Sequence, residues 1–130
     1  MKKILTVHVH CTDSYLIASP LRTINQILFD GTAEGELFNG EILPGGVDTQ
    51  TYGVENGCLS ARYTLKGTDY TGRECLMFIE NNQPSGAPKT TPCITTNSEA
   101  LSYLNSAALS GTLQVLADEV RIEIFEEDRE

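Results

Sequence analysis

The sequence has few positive charges and no tryptophan. Nine Lys and Arg residues stand against eighteen Asp and Glu residues, which leaves a formal charge of −9 at pH 7 over 130 residues. Such a chain repels a nucleic-acid polyanion, because the cations whose phosphate contacts drive non-specific binding are scarce. We therefore expect no nucleic-acid partner.

No apolar run approaches the roughly 20 residues that a membrane helix needs. After Met1–Lys3, only the four residues Ile4–Val7 precede His8, which is too short for the apolar region of a signal peptide. With a mass of 14.2 kDa, 40% apolar residues and 21% charged residues, the chain has the composition of one soluble domain spanning residues 1–130. We expect a cytoplasmic protein without a membrane segment.

Motifs for metals, nucleotides and catalytic nucleophiles are also missing. The four cysteines, Cys11, Cys58, Cys75 and Cys93, form no C-x-x-C pair, so buried free thiols are expected in preference to a disulfide framework or a metal site. His8 and His10 form an H-x-H pair that a strand can present to one metal, but with no third ligand in view two solvated polar residues are the better interpretation. There is no P-loop, G-x-G-x-x-G, G-x-S-x-G or H-E-x-x-H motif. The sequence thus predicts neither a metal nor a cofactor.

The hydrophobic pattern has a period of two almost throughout. Leu5, Val7, Val9 and Cys11 alternate with polar residues, which is typical of a half-buried strand. In the segment 113–125, a tight turn at Ala117–Asp118 would set Val115 opposite Val120 and Leu113 opposite Ile122. Short strands without crossover helices predict an all-β fold, a single antiparallel β-barrel of about eight strands, with a two-sheet sandwich as the alternative. The segment Asn97–Leu109 is either one short helix capped by Ser98 or an extended stretch.

A central hairpin is predicted from Cys58 to Asn81. A six-residue loop, Gly67–Gly72, would place Lys66 opposite Arg73. Leu59, Ala61, Tyr63, Leu65, Leu76 and Phe78 would then form an apolar face, and Ser60, Arg62, Thr64, Cys75, Met77 and Ile79 a mixed one. A mixed face is more suited to line a cavity than to fill a core, although the pattern leaves open which face is interior.

Arg62 and Asp48 are the principal candidates for a site on that mixed face. A buried guanidinium needs a partner, which is either Asp48 in a structural pair or an anionic group of a ligand. Asp48 and Gln50 share one face of their segment, so Asp48 is a candidate general base, or else it binds the amides of the preceding glycine turn. The predicted ligand-binding set is Asp48, Gln50, Arg62, Met77, Ile79, Asn81 and Asn105. The predicted catalytic set is Asp48, Arg62 and Tyr103.

Several motifs in a fixed order resemble one family. They are GTAEGELFNGEILPGGVDTQ at 31–50, NGCLSARYTL at 56–65, LMFIENN at 76–82, KTTP at 89–92 and LSYLN at 101–105. In these the chain resembles the uncharacterised domain-of-unknown-function family 3237, also called the UPF0311 proteins of bacteria and fungi, over about residues 25–125. The resemblance implies a β-barrel and no established reaction. Thr49 and Tyr103 stand where the family often has tryptophan, so a ligand that stacks on those rings in relatives is not expected here.

Three functions follow as hypotheses. The first is a barrel that binds a small apolar or anionic metabolite through Arg62 and Asp48. The second is a cofactor-free isomerase, cyclase or lyase in which Asp48 removes a proton and Arg62 with Tyr103 stabilises the oxyanion. The third is a homodimer or other homo-oligomer in which a second copy covers the apolar face of the central hairpin.

Overall fold

Antiparallel strands and one short 3-10 helix make up the computed structural model, which describes residues 1–53 and 57–128. The strands are β1 (Lys2–Ala18), β2 (Thr23–Glu34), β3 (Phe38–Ile42), β4 (Gly46–Tyr52), β5 (Cys58–Asp69), β6 (Glu74–Pro84), β7 (Thr91–Thr96), β8 (Leu109–Val115) and β9 (Val120–Glu126). The helix, Ser102–Ser106, lies between β7 and β8. No helix in residues 1–53 or 57–128 has the length and apolar character needed to cross a membrane.

The strands form one sheet that curls into a barrel. Their order is β7-β6-β5-β3-β2-β1-β9-β8. Both β3 and β4 pair with β2 and β5, so these two short strands share one position in the sheet and eight positions surround the axis. The two outer strands meet at Thr90 and Gly111, whose backbone amides and carbonyls exchange two hydrogen bonds of 3.0 Å. The predicted all-β barrel of about eight strands is confirmed, and the sandwich is not formed.

Alternating side chains of the strands fill the interior. On β1, Leu5, Val7 and Val9 are buried, as their alternation predicts. Among the most completely buried large side chains are Phe38, Leu65, Met77, Ile79, Ile94, Leu101 and Ile124. The hairpin of β8 and β9 has the predicted register, in which Val115 pairs with Val120 and Leu113 with Ile122.

The central hairpin of β5 and β6 has a different register from the predicted one. The loop contains three residues, not six: the Gly72 amide donates to the Asp69 carbonyl at 2.9 Å, the Asp69 amide donates to the Arg73 carbonyl at 3.0 Å, and Gly72 has φ +88°. This is a type I turn followed by a left-handed glycine, a frequent three-residue connection. Lys66 therefore pairs with Leu76, three residues beyond the predicted Arg73.

An odd shift of register exchanges the faces of one strand relative to the other. Met77 and Ile79 consequently share the barrel interior with Ala61 and Tyr63, whereas Arg62 lies on the outer wall opposite Glu80. The predicted mixed face is wrong. The prediction of an apolar face that a second copy covers is wrong too, since the β5 residues of that face point into the barrel.

Two smaller expectations also change. Within Asn97–Leu109 only Ser102–Ser106 is helical, while the Ser98 hydroxyl accepts the Leu101 amide at 3.2 Å and Leu109 begins β8. All four cysteines are free, as expected, but only Cys75 is buried. Cys11, Cys58 and Cys93 are exposed: Cys58 begins β5, Cys93 lies on the outer wall, and Cys11 lies beyond the end of the pairing between β1 and β9.

Candidate functional site

A cavity of about 140 Å³ lies inside one end of the barrel. Residues of seven strands line it, and most of them are apolar. The lining consists of Val9, Cys11, Ile27, Phe29, Asp48, Gln50, Leu59, Ala61, Asn81, Leu113, Val115, Val120 and Ile122. Space remains here because the large side chains that fill the rest of the barrel are absent from this end.

One row of paired residues forms the polar side of the cavity. Asp48 of β4 pairs with Ala61 of β5, and Ala61 pairs with Asn81 of β6. Neighbouring strands are about 4.8 Å apart, so the Cα atoms of Asp48 and Asn81 are separated by roughly 10 Å. Ala61 has only a methyl group, which leaves room between the two polar side chains.

One oxygen of the Asp48 carboxylate accepts a hydrogen bond from its own strand, and the other has no hydrogen-bond partner among the described residues. Its Oδ2 accepts a hydrogen bond from Gln50 Nε2 at 3.0 Å, and Gln50 Oε1 accepts one from the Tyr52 hydroxyl. Oδ1 of Asp48 is buried without a hydrogen-bond partner among the described residues. Burial raises the pKa of the Asp48 carboxyl, and the hydrogen bonds from Gln50 and from the Ser60 backbone only partly offset this effect. The raised pKa makes the Asp48 carboxylate a stronger base than a solvated aspartate.

Asn81 supplies a second unsatisfied oxygen. The residue is only 1% exposed, and its Oδ1 has no partner in residues 1–53 and 57–128. Asn25, which pairs with Gln50 one row nearer the barrel end, has a third such oxygen. Buried polar atoms are nearly always hydrogen-bonded in folded proteins, so unsatisfied acceptors beside a cavity indicate a ligand or water that donates to them.

The cavity adjoins a wider surface depression of about 270 Å³. Gln50 and Leu59 belong to both, and the depression continues over Tyr52, Gln83 and Pro84 at the ends of β4 and β6. The depression and the cavity therefore lie next to each other at this end of the barrel.

Three predicted site residues come together in the cavity, namely Asp48, Gln50 and Asn81. Arg62 does not join them. Its side chain is 63% exposed on the outer wall, where Nε lies 3.1 Å from Glu80 Oε2. The prediction that Arg62 faces inward, with Asp48 or a ligand anion as partner, is wrong because of the register described above.

The other predicted residues lie elsewhere. Met77 and Ile79 are interior, but they pack within the hydrophobic core and do not line the cavity. Tyr103 is 40% exposed on the 3-10 helix. Asn105 Oδ1 accepts the Thr96 amide at 2.7 Å, and its Nδ2 donates to the Thr96 carbonyl at 3.2 Å, so Asn105 anchors the helix to β7. Both helix residues lie at the barrel end opposite the cavity, because the helix follows the far end of β7.

Several lining residues were missed by the sequence analysis, notably Ala61 and Leu59 on the wall opposite the predicted one. The sequence does contain a signal for them. Gly72 stands at the third position of the loop, and a left-handed glycine there predicts the three-residue turn and with it the register. That register aligns Ala61 with Asn81.

The two histidines face outward from β1. His8 Nδ1 lies 2.6 Å from Glu119 Oε2 and its Nε2 lies 3.1 Å from Glu34 Oε1, while His10 is exposed. Within the described part of the chain, no group of three His, Cys, Asp or Glu residues has the arrangement of a metal site. The carboxylates thus occupy both ring nitrogens of His8.

Comparison with known proteins adds a family and a fold. The family described as protein of unknown function DUF3237 matches residues 1–126. A UPF0311 protein of Clostridium acetobutylicum is 39% identical over 56 residues, which are 42% of this chain and 33% of that protein. The matched segment thus spans about a third of the relative's length.

Solved structures share the fold at low sequence identity. A protein of unknown function from Clostridium acetobutylicum matches with a TM-score of 0.76 and 23% identity over 96% of this chain and 94% of its own. A beta-barrel like protein of Acinetobacter baumannii matches with a TM-score of 0.74 and 18% identity over 96% of this chain and 93% of its own. A protein described as an enzyme from Penicillium herquei matches with a TM-score of 0.68 and 17% identity over 95% of this chain and 92% of its own.

Proposed function

The chain belongs to the DUF3237 family of proteins of unknown function, and we propose that it binds a small molecule in the cavity lined by Asp48 and Asn81. The observation that supports this proposal is the pair of buried acceptor oxygens, Asp48 Oδ1 and Asn81 Oδ1, that have no partner within the described residues and flank a mostly apolar space. Apolar pockets with a few convergent polar groups are the usual form of a ligand site.

The free polar atoms define the chemistry of the ligand. Both are acceptors, so the ligand donates hydrogen bonds, as a hydroxyl or amine does. Arg62 is on the outer wall, and the cavity lining contains the Asp48 carboxylate but no positively charged side chain. A carboxylate or phosphate group of a ligand would therefore find no positive charge to pair with. The proposed ligand is therefore a neutral or weakly basic apolar compound, which keeps the apolar alternative expected from the sequence and leaves out the anionic one.

The cavity volume limits the size of the ligand. A dry cavity of about 150 Å³ in an engineered protein holds benzene, and the volume here is about 140 Å³. A single six-membered ring with one donor group has the matching dimensions. Larger compounds would extend into the depression beside Gln50.

Phenol, toluene and benzoate test this proposal as probes of similar ring size. We expect phenol to perturb the amide NMR signals of cavity residues at lower concentration than toluene, which lacks a donor, or benzoate, which is an anion. Asp48→Leu, which keeps the approximate shape, should weaken phenol binding by about ten- to hundredfold, since a hydrogen bond to a charged group contributes about 1.5–3 kcal/mol. Arg62→Ala is the matched control and should leave the affinity unchanged.

Benzoate binding more tightly than phenol would contradict the proposed ligand chemistry. Equal losses of phenol affinity in Asp48→Leu and Arg62→Ala would contradict the proposed location. A loss that occurs in Asp48→Leu alone supports both.

Cofactor-free catalysis is the second candidate, favoured by the raised pKa of Asp48 inside an apolar cavity. Asp48 would remove a proton from carbon, with Gln50 and Asn81 as the other polar side chains of the cavity, since Tyr103 and Arg62 lie outside it. Cyclopentanone in D2O is a suitable probe, with exchange of its α-hydrogens followed by NMR. Catalysed exchange that Asp48→Asn abolishes and Arg62→Ala retains would support this function. Exchange no faster than in buffer, or undiminished in Asp48→Asn, would refute it.

A further inference from the structure

The second half of β1 has a hydrogen-bonding edge that no other described strand occupies. β1 pairs with β9 only from Lys2 to Val9, where β9 begins. On its other side β1 pairs with β2 as far as Ala18. In residues 1–53 and 57–128, the segment 10–18 is therefore bonded to β2 alone.

The hydrogen bonds around the turn show which backbone groups point outward. The Ser19 amide donates to the Arg22 carbonyl at 3.1 Å, so Ser19 faces β2. Because the groups of a regular strand alternate, Tyr15 and Ile17 also face β2, whereas Leu16 and Ala18 direct their amides and carbonyls to the open edge. The Ser14 amide, on the same side as Leu16, donates to the Asp13 carboxylate at 2.9 Å, which agrees with this assignment.

Large apolar side chains are exposed on the same segment. Leu16 is 69% exposed and Leu21 in the following turn is 77% exposed, with Tyr15 and Ile17 also exposed. Proteins usually protect an edge strand with lysine, proline or a bulge. Residues 14–18 contain no Lys or Pro, and the bulge of β1 lies earlier, between Cys11 and Asp13.

We propose that this edge pairs with the same edge of a second copy, so that two β1 strands run antiparallel about a two-fold axis. An antiparallel strand edge is self-complementary, because each Leu16 amide and carbonyl meets a matching group of the other copy. Local charge favours a second copy over an acidic or basic partner. Within residues 10–22 only Asp13 and Arg22 carry full charges, and they cancel, although the whole chain carries −9. The inference depends on strand pairing and not on a ligand in the cavity.

Sedimentation velocity of the full chain tests the proposal across low to high micromolar concentrations. We expect the wild type to sediment as a dimer of twice the chain mass at high concentration. Leu16→Pro removes an edge amide without removing a bond to β2, and Leu16→Lys places two like charges across the axis. Both variants should be monomers under the same conditions. Tyr70→Ser removes an exposed aromatic at the opposite barrel end and should remain a dimer.

Thermal unfolding of each variant separates loss of pairing from loss of folding, and a folded Leu16→Lys monomer supports the proposal even if Leu16→Pro unfolds. A wild type that remains a monomer at high concentration overturns it and would leave the edge for a strand of another protein. A dimer that persists in folded Leu16→Lys also overturns it, because the interface must then lie elsewhere.

Discussion

His8 shows how single residues tie the outer wall of the barrel together. It lies on β1, and its two ring nitrogens contact Glu119, which precedes β9, and Glu34, which ends β2. Arg121 also approaches Glu119, with Nε at 3.5 Å from Oε2. The hydrogen bond with Glu119 is the main cause that raises the pKa of His8, and the same bond lowers the pKa of Glu119. The protonated imidazole is thus favoured in the folded state.

Stability should fall because of His8 as the pH rises above about 6.5. A group whose pKa is raised on folding stabilises fully below its unfolded pKa, about 6.5 for histidine, and loses that contribution as pH rises through the folded pKa. Glu119 acts in the opposite sense and loses its contribution as pH falls below the ordinary range of glutamate. Urea unfolding between about pH 5 and pH 9 should show this decline in wild type. His8→Gln should flatten it, whereas His10→Gln should not; an unchanged decline in His8→Gln would contradict the assignment.

Among the elements, the turn between β5 and β6 has the most extensive side-chain support. The Asp69 carboxylate accepts hydrogen bonds from the amides of Thr71 at 2.9 Å and Arg73 at 3.2 Å, and from the Ser98 hydroxyl at 2.7 Å. The Thr71 hydroxyl also donates to this carboxylate, and its bond is foremost among those that lower the pKa of Asp69 to about 2. The carboxylate therefore stabilises the turn that sets the faces of β5 and β6, and it connects that turn to the segment before the 3-10 helix.

The seam between β7 and β8 is the weakest junction between elements, since it consists of a single bridge between Thr90 and Gly111. A Cβ at position 111 would lie 2.3 Å from the Thr90 Oγ1, and Thr90 is 2% exposed and has little space to move.

Gly111→Ala should therefore open the seam. Overpacking of this kind costs about 1–3 kcal/mol of the free energy of unfolding. Hydrogen exchange of the Thr90 and Gly111 amides, whose bonds close the barrel, should be faster in the variant. Thr112→Ala, on the exposed face of the same strand, is the control and should leave both amides protected. Unchanged protection in Gly111→Ala would show that the bridge does not hold the seam closed.

At the scale of the whole molecule, the barrel separates the four thiols into two classes. Cys75 lies in the core, and burial is the main cause that raises the pKa of its thiol. Cys11, Cys58 and Cys93 are exposed, and Cys11 also lines the cavity. Because the thiolate is the reactive form, both burial and the raised pKa protect Cys75.

Thiol labelling should therefore count three cysteines in the folded protein and four after unfolding. A thiol-reactive aromatic disulfide followed by mass spectrometry measures this directly. Phenol bound in the cavity should slow the labelling of Cys11 and leave that of Cys93 unchanged. Four thiols labelled at one rate in the native protein would contradict the buried position of Cys75.

The strands and one hairpin were predictable because their signals are local. Alternation in β1 identifies Leu5, Val7 and Val9 as interior, and the turn at Ala117–Asp118 fixes the register of β8 and β9. Three of the cavity residues, Asp48, Gln50 and Asn81, were found for the same reason, since each lies two or four residues from another inward-facing position. Arg62 was placed on the wrong face because a loop of three residues was predicted to contain six.

By itself, the sequence determined that the chain forms strands, that its surface is acidic and that it has no motif for nucleotide or zinc-hydrolase chemistry. These properties depend on composition and on contacts between near neighbours. Only the tertiary structure decided which face of each strand is interior, that the barrel closes at Thr90 and Gly111, and that no strand among the described residues pairs with the outer edge of the second half of β1. The physical reason is that a shift of one residue reverses a strand's faces, and its register is set by turn geometry and by pairing between distant segments.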